Sequence, residues 1–323
     1  MRFIVYGAGA IGGVIGGRLF EAGHEVVLIA RREHYQAIHA DGLRLESPDA
    51  VATVPVQVVD RPGALTWRAD DVVLLTVKSQ HTTAALGDLS AAAPATTPVV
   101  CAQNGVANEQ HALRLFEHVY GVCVMCPAGH LRPGAVSAYS APLTGILDIG
   151  RYPRGTDDVA VGVAAALESA TFLSEPIDDV QRWKYRKLVT NLGNAIEAVC
   201  GPTARRGPLG DLVRDEAATV LDAAGIDVAT PAEDAERRDD HIRERPIAGV
   251  DRPGGSSWQS LHRSTGAVET DYLNGEIVML GRLHEVPTPA NALLQRLAND
   301  LARSGRPPGE HDAGELLTML GRH

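Results

Sequence analysis

The chain has 323 residues, 45% of them hydrophobic and 22% charged, and carries a formal net charge of −10 at pH 7. That length suits two domains, because a single core rarely grows so large. The acidic balance, with no long basic run, excludes a general nucleic-acid surface. Apolar runs fall short of the roughly 20 residues a membrane span needs, and the short apolar start does not read as a signal peptide. Four cysteines do not make a disulfide framework, so cytoplasmic residence is the expectation.

Arg2–Tyr6 is dense in β-branched and aromatic side chains and reads as a buried strand. It runs into Gly7-x-Gly9-x-x-Gly12, and the next residues, Val14–Ala22, have helical spacing. Strand, glycines, helix is the order a dinucleotide fingerprint requires. Gly7 makes the tight turn, Gly9 lets a pyrophosphate approach the backbone, and Gly12 lets the helix pack on the strand. The stretch Gly7, Ala8, Gly9, Ala10, Ile11, Gly12 is thus a candidate cofactor cradle, with the helix N-terminus offering free N–H groups to phosphate. A second strand, Glu25–Ala30, ends on Arg31 and Arg32, where an acidic residue would bind the ribose hydroxyls of NAD. Guanidinium groups suit a 2′-phosphate instead, so NADP(H) is the expected cofactor and Arg31 the expected contact.

Strands are expected at Val51–Val59, Val72–Val77, Pro98–Ala102, Val119–Val124, Val136–Tyr139 and Thr144–Ile149, with helices at Thr82–Ala92, Asn108–His118 and Asp157–Ala170 and a short closing strand within Thr171–Ile177. The alternation predicts an α/β fold, a Rossmann-type, doubly wound, mostly parallel sheet. Lys78 and Asn104 stand just beyond strand carboxyl ends, where such sheets bind ligands. Near residue 178 the texture becomes helical: Val180–Cys200, Leu209–Ala224, Ser257–Thr265, Tyr272–His284 and Pro289–Ser304. This divides the chain into a cofactor-binding domain, 1–178, and an all-helical domain, 179–323. Pro231–Gly255 reads as a long loop or partly helical excursion, and the tail from Gly305 as loosely held.

In the first of these helices Lys187, Asn191 and Asn194 project within an arc of about 60°. An ammonium and two carboxamides so aligned could grip an oxygen-rich small molecule; a solvated stripe is the plainer alternative. Cys123-x-x-Cys126 has no second Cys or His pair at matching spacing, so no metal site is expected. His24, His34, His39, His111 and His118 read as surface residues, His262 as a helix position near the candidate site, and Trp183 as a packing residue.

Gly7-Ala-Gly-Ala-Ile-Gly-Gly13, Val77-Lys78, Gln103-Asn104-Gly105, Trp183-x-x-x-Lys187-Leu188-x-x-Asn191 and Glu269-Thr-Asp-Tyr-Leu-Asn-Gly275 follow one another along the chain. In this order they resemble the ketopantoate reductase (2-dehydropantoate 2-reductase) family, from Met1 to about Leu301. The resemblance implies NADPH-dependent reduction of a 2-oxo acid in a cleft between a Rossmann domain and a helical domain, and a habit of forming homodimers. It implies Lys187 as the general acid, Asn191 and Ser257 as substrate ligands, and Glu269 near the nicotinamide ribose and the hydroxyl end of the substrate. Lys78 and Asn104 would line the cofactor cleft. A cation suits the chemistry, because hydride addition builds negative charge on the carbonyl oxygen. A free lysine titrates near pH 10.4, and Lys184, Arg186 and Arg182 are the expected source of a lowered value. Three departures stand out. Ala195 replaces the second asparagine of the family, and Asn194 is turned by about 100° from that position. Gly254 replaces an asparagine ahead of the serine pair, and Arg263-Ser-Thr-Gly266 is looser than the family run. A paralogous NADP-dependent oxidoreductase acting on another carbonyl or imine, and a non-catalytic NADP(H)-sensing protein, stay open.

Overall fold

In the computed structural model, residues 1–250, 254–263 and 266–321 are described. The chain divides into two compact units: Met1–Lys184 with Pro231–Arg252, and Tyr185–Thr230 with Pro253–His323.

The first unit opens with β1 (Arg2–Tyr6), α1 (Ala10–Glu21), β2 (Glu25–Ile29), α2 (Arg32–Asp41), β3 (Leu43–Glu46), β4 (Val51–Val54) and β5 (Gln57–Val59). It continues with β6 (Asp71–Leu75), α3 (Thr82–Ser90), β7 (Val99–Cys101), α4 (Asn108–Leu113), β8 (Val119–Met125) and β9 (Ala128–Gly129). Then come β10 (Ala135–Ala138), β11 (Gly145–Arg151), α5 (Asp158–Ser169), β12 (Phe172–Leu173) and the start of α6 (Val180–Asn191). The main sheet has the order β12-β11-β8-β7-β6-β1-β2-β5, parallel throughout except where β11 meets β8. Sheet order reverses direction at β1, the switch point beside which such folds bind nucleotides. Phe3 and Val5 pack into one core layer and Ile4 and Tyr6 into the other, so β1 is apolar on both faces, as a central parallel strand requires.

Val51–Val59 is not one strand. Pro55 and Val56 interrupt it: β5 joins the main sheet, whereas β4 pairs with β3 in a second sheet of order β4-β3-β10-β9. Proline cannot donate to a ladder, which allows the switch between sheets there. The closing strand shrinks to two residues. The excursion at 231–250 contains α9 (Pro231–Arg238) and is fastened to the first unit: Arg237 donates to Asp148 through Nε at 2.8 Å, and the carboxylate is buried on β11.

The second unit comprises the remainder of α6, α7 (Gly193–Cys200), α8 (Pro208–Ala223), α10 (Ser256–His262), α11 (Asn274–Leu283), α12 (Pro289–Ser304) and α13 (Ala313–Met319). The tail thus holds a helix that its polarity concealed, N-capped by Asp312, whose carboxylate accepts from Glu315 N–H. Of the expected helix at Ser257–Thr265 and the segment Arg263–Gly266, Ser264 and Thr265 lie outside the described residues, as do 251–253 of the excursion.

The expected helix Val180–Cys200 is two helices, broken at Leu192. Arg205 explains the break. A Cβ at Gly193 would stand 2.9 Å from Arg205 Nε, and the same guanidinium donates to the Thr190 carbonyl at 3.1 Å. A glycine that admits a side chain, and a side chain that draws off a helical carbonyl, are both recognised causes of a helix break.

Candidate functional site

In the first unit the candidate cradle is made of backbone. Gly7 has φ +110°, and a Cβ on it would lie 2.7 Å from Val77 N. A Cβ on Gly12 would lie 2.3 Å from both the Gly7 carbonyl and Thr76 Oγ1. These glycines are required by the protein itself. Gly9 is different: nothing lies within 4 Å of its Cβ position, and α1 begins there without a side-chain cap. Open space beside uncapped helical N–H groups is the room a pyrophosphate needs, so the residues present fit a dinucleotide.

Neighbouring loops close around this turn. The Thr76 hydroxyl donates to the Gly7 carbonyl at 2.9 Å, which brings the strand end carrying Lys78 alongside. Ser79 Oγ and the Asn108 amide both donate to the Asn104 carbonyl, at 3.2 and 3.0 Å. Gly7–Gly12, Lys78 and Asn104 therefore share one end of the sheet. Arg31 lies at the end of β2, half-exposed, and its guanidinium donates to the Tyr6 hydroxyl and to Asp88 Oδ2, each at 2.9 Å. Sequence reading missed Asp88, because no pattern links residues 57 apart. It also misplaced His34. That ring is partly buried, with Nε2 2.6 Å from the Ala8 carbonyl and Nδ1 accepting from Gly134 N–H at 2.9 Å.

The second unit places the other candidate residues on α6, α7, α10 and the single turn at Glu269–Tyr272. Asn191, Asn194, Ser257 and Glu269 are buried, so the two asparagines do not lie on a solvated stripe. Lys187 is half-buried. The Asn194 amide donates to Ser256 Oγ at 3.4 Å. Ser257 Oγ, in a residue 1% exposed, has no hydrogen-bond partner among the described residues. Glu197, which sequence reading passed over, accepts from Gly255 N–H at 2.9 Å and fixes the start of α10. It also accounts for Gly254: a Cβ there would stand 2.4 Å from Glu197 Oε1, so an asparagine would collide with the carboxylate. Asn274, of the Glu-x-Asp-Tyr-Leu-Asn-Gly segment, is structural. It donates to the Leu192 carbonyl at 3.4 Å and to Asn291 Oδ1 at 3.0 Å, linking the start of α11 to the helix break.

Two of the cations expected to act on Lys187 have partners of their own. Arg182 is held by both oxygens of Glu233, at 2.7 and 2.8 Å, and Lys184 forms an ion pair with Glu109. Two of the three cations expected to act on Lys187 are thus met by carboxylates. The cysteines are free thiols, and among the described residues no group of three or more His, Cys, Asp or Glu is arranged for a metal. Among these residues no helix is long and apolar enough to cross a membrane.

The family model described as ketopantoate reductase PanE/ApbA matches residues 3–154, and its C-terminal counterpart matches residues 179–302. The 2-dehydropantoate 2-reductase of Caulobacter vibrioides is 30% identical, covering 92% of this chain and 98% of that protein. Its namesake from Pyrococcus horikoshii is 28% identical, covering 92% and 96%. A solved PanE/ApbA family ketopantoate reductase from Ralstonia eutropha JMP134 superposes with TM-score 0.79 at 31% identity, covering 94% of this chain and 99% of that one. A D-mandelate dehydrogenase solved with NADH and anilino(oxo)acetate gives TM-score 0.80 at 24% identity, covering 94% and 99%, and speaks for the fold alone.

Proposed function

This chain belongs to the ketopantoate reductase family, and from that premise we propose that it reduces ketopantoate to pantoate with NADPH. The first unit serves as cofactor domain and the second as substrate domain. NADPH, when bound, supplies the hydride that adds to the C2 carbonyl carbon. The Lys187 ammonium stabilises the charge growing on the carbonyl oxygen and gives it the proton, then regains one from water. Asn191 and Asn194 orient the 2-oxo acid, and Ser257 Oγ donates to its carboxylate. Glu269 sits at the nicotinamide ribose and the substrate hydroxyl, with Lys78 and Asn104 along the cofactor. Gly7–Gly12 receives the pyrophosphate and Arg31 the 2′-phosphate, exchanging Asp88 for it. A homodimer and a cytoplasmic location belong to the same reading; sedimentation and cell fractionation test them.

The observation that carries the substrate assignment is the buried Ser257 hydroxyl, which has no hydrogen-bond partner among the described residues. A buried hydroxyl left unbonded is costly, and a carboxylate oxygen would satisfy it. A second reading keeps the chemistry and changes the 2-oxo acid. It is favoured by Ala195, buried at 1% exposure where the family carries asparagine. NADPH absorbance across a panel of 2-oxo acids decides: preference for ketopantoate supports the first reading, and preference for another acid supports the second. NADPH binding without oxidation on any of them overturns both in favour of a sensor.

A further inference from the structure

One pair of buried charges has no part in the chemistry above. Lys184, near the start of α6, and Glu109, in the first turn of α4, form an ion pair with side chains 2% and 0% exposed. Burying two charges costs hydration, and a well-packed apolar pair would serve stability at least as well. The neighbours suggest another use. The Lys184 ammonium also donates to the Gln103 carbonyl at 3.1 Å. Gln103 and Glu109 flank the segment that carries Asn104, so one ammonium ties both of its ends.

From Gln103 the network continues. Its amide donates to the Val77 carbonyl at 2.6 Å and to Thr82 Oγ1 at 2.8 Å. The Thr82 hydroxyl donates to Asn108 Oδ1 at 2.8 Å, and the Asn108 amide donates to the Asn104 carbonyl and to Ser79 Oγ. Lys184 is thereby connected to the backbone before Lys78 and to Asn104 itself. Space is reserved for the pair: a Cβ at Gly121 on β8 would lie 3.0 Å from Glu109 Oε1.

We propose that Lys184 and Glu109 are positioning residues for hydride transfer, their ion pair setting the conformation of the 103–109 segment and so the placement of Asn104 and Lys78. The ammonium that does this stands on the helix that carries Lys187 one turn later. The proposal rests on the reductase reading for its catalytic consequence, and on the network alone for its structural one.

The test is the double variant Lys184→Met/Glu109→Leu, which leaves neither charge orphaned. Its melting temperature should stay within a few degrees of the parent. Single-turnover hydride transfer at saturating NADPH and ketopantoate should slow about tenfold or more, as expected for small misplacements of reacting groups, with KM for ketopantoate changed far less. Amide exchange over 103–109 should accelerate about tenfold while the sheet is unchanged, a readout that needs no turnover. Glu109→Asp keeps both charges and withdraws the carboxylate by one methylene; it should act in the same direction and covers a double variant that does not fold. Parental loop exchange and parental hydride transfer in either folded variant would overturn the proposal. Faster loop exchange in a protein whose parent reduces no 2-oxo acid would support the brace and refute the reductase reading.

Discussion

The two units carry their candidate sites in different materials. In the first, the candidate cradle is backbone: a glycine at φ +110°, an uncapped helix start, and an open space beside Gly9. In the second it is side chain: an ammonium, two carboxamides, a hydroxyl and a carboxylate, mostly buried. A backbone site tolerates substitution at few positions and announces itself by glycine spacing. A side-chain site depends on which helices meet, and spacing along one helix does not report that.

The difference can be broken experimentally, and the largest effect belongs to the side-chain site. Lys187→Ala should lower kcat by roughly 10²–10⁴-fold, the usual worth of a general acid, while the NADPH dissociation constant, read by fluorescence titration, stays nearly unchanged. Full turnover in that variant removes Lys187 from the mechanism. Next are the glycines, which should separate fold from ligand. Gly12→Ala places a Cβ 2.3 Å from two atoms and should cost about 1–3 kcal/mol of stability, as overpacking does. Gly9→Ala meets nothing; its melting temperature should hold while NADPH binds about tenfold more weakly, because the methyl fills the space of the pyrophosphate. Equal behaviour of the two variants would sink the cradle. Ser257→Ala is the mildest of the set. Losing an unpartnered buried hydroxyl should leave stability equal or slightly higher, while KM for the 2-oxo acid rises about tenfold. A destabilised variant with parental KM would show that the hydroxyl serves the fold.

Much of the first unit was legible because local and global signals agree there. β1, with both faces apolar and glycines directly after it, reads as a buried strand leading into a candidate cofactor turn, and it lies in the middle of the main sheet. α12, framed by Pro289 and Gly305, matches its expected span residue for residue. What was not legible depended on distant partners. Nothing near Gly193 foretells Arg205 and the break between α6 and α7. The second sheet escaped notice because β3, Leu43-Arg-Leu-Glu46, alternates over only four residues and β9 is two residues long. Lys187 and Asn191 were singled out by their shared helix face, and resemblance then supplied their expected roles. Glu197, Asp88 and the Lys184–Glu109 pair were missed, since single charged residues in helices look alike until their partners are known.

His34 ties the backbone site to pH. Burial lowers its pKa below the ordinary 6.5, against a smaller opposing effect from the Ala8 carbonyl. The ring is held neutral, with Nε2–H on that carbonyl and Nδ1 accepting from Gly134 N–H; the ring of His130 lies 4.3 Å away, centroid to centroid. The unfolded chain therefore binds a proton at His34 more readily than the native one. Stability is unaffected above about pH 6.5, falls as the pH drops through that value, and reaches its full loss below the native pKa. A proton on Nδ1 would also face the Gly134 N–H donor and loosen the hold on Ala8, inside the glycine turn. Melting temperature should drop a few degrees between pH 7.5 and 5.5, with NADPH affinity weakening over the same window. His34→Gln, which keeps hydrogen-bonding capacity without titrating, should flatten this part of both profiles. Parental profiles that are already flat would show that the glycine turn keeps its shape whatever the charge on His34.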